Sequence, residues 1–190
     1  MFETRGYQRR YLRAPYRQEI LYSSEDFIFK ARAVNISEGG LLLDQISHFP
    51  EDDILPFMVI LPQFPLFKDF TLAKIMAYDP TSLEPKIVRF QAKMARKIGL
   101  ETKIDGVFAS QIGLQIKDVS QFDQAKISSY VDVFASNLIF LQVLLDSLHS
   151  HKSNLIKIRK VSEYLGYEKD MKLALLRKIV QEDYRSLQWL

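Results

Sequence analysis

Over the first two thirds of the chain, apolar residues come in short runs: QEILY at 18–22, FIFKARAVNI at 27–36, GLLLD at 40–44, FMVIL at 57–61, FTLAKIMAY at 70–78, IVRFQAKMA at 87–95 and IGLQI at 112–116. Each is rich in Val, Ile, Phe or Leu and is bounded by Pro, Gly, Asp or Ser, which predicts strands of a small antiparallel barrel or sandwich. From Ile127 the period changes. Val131, Phe134, Leu138, Leu141, Leu145 and Leu148 follow a four-three spacing, so one helix of about 25 residues carries a continuous apolar seam, widened by Ile139, Phe140, Val143 and Leu144. Two more helices are predicted at 153–165 and 169–188, with Gly166 as the stop signal between them. Their packing candidates are Leu155, Ile158, Leu165, Leu175, Leu176, Ile179 and Val180. Two covers for the seam are open: these helices in an intramolecular bundle, or a second copy of the chain in a homodimer.

Turn formers divide the chain in the same place. All seven prolines lie in the first 85 residues, and after Gly113 only Gly166 remains. The expected organisation is a β domain over 1–125 and a helical extension over 126–190 that serves interaction or dimerisation. With 190 residues, 47% of them hydrophobic, the chain can bury a proper core. It has no cysteine, which excludes disulfides and thiolate metal sites and fits a reducing compartment. The longest apolar stretch, ILPFMVILPQFPLF, is broken by prolines and falls short of the roughly 20 residues that span a bilayer. Arginines and tyrosines stand where the apolar part of a signal peptide belongs, and the expected location is the cytoplasm.

The net charge of +3 conceals an uneven distribution: residues 1–17 carry +4, residues 18–151 carry −5 and residues 152–190 carry +4. Basic ends of this kind attract phosphate. The N-terminal one holds RRYLR, residues 9–13. Arg9 and Arg13, four apart, project from one side of the chain whether it is helical or extended, and Ala14 before Pro15 disfavours the α conformation there. Some twenty residues on stands NISEGG. Asn35 and Ser37 share one face of a strand end, Val34 and Ile36 point into the core, and Gly39 and Gly40 offer a tight turn open to close approach.

RRYLR carries the RxxxR pattern and NISEGG the (D/N)xSxxG pattern of PilZ domains, and QIGLQIKDVSQFDQAKISSYV resembles the closing strand and helix of that family. The resemblance covers roughly residues 6–125, with an extra stretch around 80–108. It implies a six-stranded antiparallel split β-barrel that binds the bacterial second messenger cyclic di-GMP. It implies, by motif position, that Arg9 and Arg13 contact phosphates and guanine edges, that Arg10 adds a contact, and that Asn35, Ser37, Gly39 and Gly40 line the facing wall. It also implies that the arginine tail folds over the barrel when ligand arrives and that a protein partner in motility, secretion or biofilm control reads the change. The chemistry is consistent: a guanidinium fork engages guanine O6 and N7, or a phosphate, through paired hydrogen bonds.

Other features weigh less. Asn35-Ile36-Ser37 matches a glycosylation sequon, idle without a secretory signal. His149, His151 and the Glu51-Asp52-Asp53 cluster lack the companion ligands of a metal site, so no metal is expected. With three histidines, no cysteine and no phosphate loop or nucleophile elbow, no enzyme activity and no cofactor are expected. The rival function is a ligand-controlled transcription regulator that binds DNA through Lys157, Arg159, Lys160, Lys169, Lys172, Arg177 and Lys178, although Glu163, Glu168 and Asp170 sit among them.

Overall fold

The computed structural model describes residues 10–44, 54–98, 111–147 and 153–187. Seven antiparallel strands form the first part: β1 (Ala14–Pro15), β2 (Glu19–Ser24), β3 (Phe27–Ser37), β4 (Gly40–Asp44), β5 (Leu55–Leu61), β6 (Lys86–Ile98) and β7 (Gln111–Val119). Six of them pair in the order β3-β2-β5-β6-β7-β4, and β4 returns to β3, which closes the barrel. Closure removes the sheet edges that would otherwise recruit another chain. The inward side chains alternate as the sequence pattern requires: Leu55, Phe57, Val59 and Leu61 on β5 are buried, while Pro56 and Ile60 between them are exposed. Tyr22, Phe57 and Phe90 stack across three adjacent strands at 5.6 and 5.7 Å between ring centres.

One predicted strand is not a strand. FTLAKIMAY forms α1 (Leu72–Ala77), capped by Thr71, whose hydroxyl accepts the Lys74 N–H at 3.3 Å. Leu72, Ile75 and Tyr78 turn inward at helical spacing, and the run between them consists of good helix formers. Without this segment the predicted strands number six, and they are the six of the barrel. The connection around α1 is pinned to the helices: Asn137 accepts the Phe67 N–H and donates to Pro65 O, both at 2.9 Å, and Phe67 stacks on Tyr164 at 5.4 Å.

The extension holds α2 (Gln121–Asp146), α3 (Ser153–Tyr164) and α4 (Leu173–Leu187). α2 starts six residues before the predicted seam, because Ser120 caps it by accepting the Asp123 N–H. Ile127, Val131, Phe134, Leu138, Leu141 and Leu145 are all buried by the barrel and by α3 and α4 of the same chain, so the described part of the seam is covered within one molecule, and Leu148 lies outside the described residues. Ile158, Leu165, Leu176 and Val180 join that core, whereas Leu155 and Leu175 stay exposed. α2, not the proline-broken stretch, is the described helix long and apolar enough to cross a bilayer, and half of that window is buried in the protein. Gly166, at φ +85°, ends α3 as predicted: its N–H bonds Glu163 O and the Tyr167 N–H bonds Ser162 O, both at 3.0 Å. α4 begins at Leu173, four residues later than expected.

Candidate functional site

The arginine tail and the glycine turn are the two arm ends of one long hairpin and lie together at its open end. β2 and β3 pair from Ser24↔Phe27 to Glu19↔Arg32. The chain continues along the same edge of β3, with Ala33 N–H to Gln18 O and Tyr16 N–H to Val34 O at 3.0 Å, and then with the pairs Pro15↔Asn35 and Ala14↔Ile36 in β1. The register carries the tail to the end of β3, where the Tyr11 ring lies against Gly39. The residues that follow RRYLR therefore pair with the start of NISEGG, and Tyr11 of the tail lies beside Gly39.

The turn has its own geometry. Ser37 pairs with Gly40, and the buried Ser37 hydroxyl donates to Gly40 O at 3.1 Å. Ile116 N–H donates to Gly39 O at 3.1 Å, which fastens the turn to β7. A bulge between Ala33 and Asn35 shifts the alternation, so Ala33 and Ile36 point inward while Val34 is only half-buried. The expectation that Val34 faces the core is corrected by this extra residue. Asn35 pairs with Leu42, and both are half-buried.

The glycines serve packing more than open approach. A Cβ on Gly40 would stand 2.0 Å from the Leu114 carbonyl oxygen, and one on Gly39 2.8 Å from the Tyr11 ring. Gly166 is the only described glycine with positive φ, so neither glycine of the turn is needed for a left-handed backbone. Of the arginines, Arg13 is half-buried next to Ala14, and Arg10 is exposed with its guanidinium carbon 5.5 Å from the Tyr11 ring centre. Arg9 lies outside the described residues, as do Glu51-Asp52-Asp53, His149 and His151. Two cavities, of about 430 Å³ on the outer side of β2, β5 and β6 and about 500 Å³ between the barrel and the helices, both lie away from the turn.

Sequence reasoning missed the polar ties that join this region to the helices. Tyr130 donates to Pro15 O at 2.9 Å, and Tyr16, edge-on to Tyr130, donates to Ile60 O at 3.0 Å. Burial pushes the Tyr16 hydroxyl up to about 12 and raises Tyr130 still further. Arg17 forms a 2.6 Å ion pair with Asp183 of α4, which also accepts from Tyr167 at 2.7 Å. Burial would lower the Arg17 pKa, but the adjacent carboxylate outweighs it and the net shift is upward. Tyr130–Pro15 and Arg17–Asp183 join positions more than a hundred residues apart, and no local pattern reveals them.

Two of the solved structures similar to this chain show what the likeness covers. One is the inhibitor of motility MotI/DgrA of Bacillus subtilis, 15% identical over 66% of this chain and 50% of that one, with a TM-score of 0.47. The other is the PilZ domain of YcgR from Escherichia coli with c-di-GMP, 14% identical over 66% of this chain and 90% of that one, with a TM-score of 0.40. The chain thus spans half the length of MotI/DgrA. No protein-family model and no curated protein matches the sequence. The barrel itself stands on the strand registers given above.

Proposed function

We propose that the protein is a PilZ-type receptor for cyclic di-GMP, which binds between the arginine tail and the turn at Asn35–Gly40 and transmits occupancy to a protein partner. The observation that carries this reading is the apposition of the tail and the turn: Pro15 pairs with Asn35, Ala14 with Ile36, and Tyr11 rests on Gly39. Arg13 and Arg10 stand on one side of this junction, and Asn35 and Ser37 on the other. The ligand is the one implied by the resemblance of the two motifs to those of PilZ domains. Each bidentate arginine contact contributes about 1–3 kcal/mol, so Arg9, Arg10 and Arg13 with the facing wall reach about −8 kcal/mol after the tail is ordered, a micromolar affinity.

Titration calorimetry with cyclic di-GMP tests the reading. The wild type is expected to bind, and Arg9→Ala, Arg13→Ala and Ser37→Ala to lose at least tenfold. Arg13→Lys should be nearly as poor as Arg13→Ala, because an ammonium cannot form the paired hydrogen bonds. No heat from the wild type across the micromolar range would end the proposal.

The transcription-regulator reading gains nothing from the helices. Arg159 donates to Met171 O and Arg177 to Leu145 O, while Lys160 pairs with Glu163 and Lys178 lies 4.0 Å from Glu182. Three of its seven basic candidates, Arg159, Lys160 and Arg177, are thus occupied within the helical unit. A receptor of this kind works by binding, without a catalytic step.

A further inference from the structure

Glu38 is the one charged residue of NISEGG and has no part in the receptor reading, yet it ties the turn to the longest helix. It stands between Ser37 and Gly39, within the proposed ligand wall. Its carboxylate reaches across to α2, where it accepts from Ser128 Oγ at 3.1 Å and from Gln124 Nε2 at 3.4 Å. The same Gln124 amide lies 3.4 Å from the Glu38 main-chain carbonyl. Gln124 and Ser128, four apart, stand one helical turn from each other and grip the turn together. Both donors are neutral, and both belong to α2.

We propose that Glu38 is the positioning residue through which an anionic ligand at the turn acts on α2, and that its charge sets the ligand affinity. The inference rests on the cyclic di-GMP reading above. A phosphate seated on this turn brings like charge close to the carboxylate. The carboxylate yields toward Ser128 and Gln124, so ligand entry tightens the clamp and steadies the first turns of α2. The same charge also weakens the binding, because its repulsion of the phosphate persists after the carboxylate has yielded.

The test combines calorimetry and backbone amide exchange on the full chain, with cyclic di-GMP as the probe, for wild type, Glu38→Gln and Glu38→Ala. The Glu38→Gln variant keeps an acceptor for Ser128 without the charge. It is expected to bind about three- to tenfold tighter, with the ligand no longer slowing exchange over residues 121–130 as it does in wild type. In Glu38→Ala, exchange over the same residues is expected to be faster before ligand is added. Equal or weaker binding by Glu38→Gln, or a full ligand-dependent slowing of α2 in that variant, overturns the clamp and leaves the receptor standing. Absence of wild-type binding removes the receptor and the clamp with it.

Discussion

Two adjacent glycines face different obstacles, and the difference is measurable. At Gly40 the obstacle is the Leu114 carbonyl in a paired strand, which cannot move without opening the barrel seam between β4 and β7. Gly40→Ala should cost about 2–4 kcal/mol in urea unfolding. At Gly39 it is the Tyr11 ring, which can swing aside. Gly39→Ala should leave the unfolding midpoint nearly unchanged while it displaces the tail and weakens cyclic di-GMP binding. The pattern of NISEGG located these residues at a turn; their packing role was hidden, because it depends on β7 and on the tail. Tyr16 supplies a pH effect. Its hydroxyl ionises near 10 in the unfolded chain and at about 12 in the fold, so the unfolded state releases the proton first as pH rises. Tyr16 should contribute nothing to the pH dependence below pH 10 and a loss of about 3 kcal/mol by pH 12, on top of the losses from the buried Tyr130 and Tyr167, so Tyr16→Phe should make the fall shallower by about that amount in pH-dependent denaturation.

At the scale of elements, runs rich in Val, Ile, Phe or Leu between turn formers identified the six barrel strands, and the four-three spacing identified α2. The same reading failed at FTLAKIMAY, an apolar-rich run whose Thr71 cap, helix formers and helical spacing of Leu72 and Ile75 make it a helix. The two residues of β1 were too short to register as a strand. They form because the chain before β2 keeps pairing along β3, a matter of hairpin register that composition does not report. Arg17, just beyond β1, fastens this segment to α4 through Asp183 and lies 5.1 Å from the Tyr167 ring centre. Its side chain is 34% exposed, so solvent screening keeps the value small. Arg17→Ala should cost about 1 kcal/mol, and amide exchange in α4 should rise more than in the barrel.

In the whole molecule, α2 is common property: the barrel packs on one side of it, and α3 and α4 on the other. Phe134 sits at that junction, 5.9 Å from the Phe64 ring and 5.8 Å from Tyr130. Phe134→Ala should cost about 3–5 kcal/mol, and it should lower the melting of strands and helices together, in one transition by far-ultraviolet and near-ultraviolet dichroism. The loss of turn formers placed the change from β to α at 125–126, whereas α2 begins at Gln121, and composition could not show that the two parts share a core. The hairpin that joins tail and turn has one more property. Its tip, Glu25-Asp26, is the fold-back point, so peptide spliced there leaves the two arm ends in step, whereas one residue added within either arm would slip the register that sets Ala14 beside Ile36 and Pro15 beside Asn35. The tip is thus the natural graft point for a reporter that watches the far end without touching it.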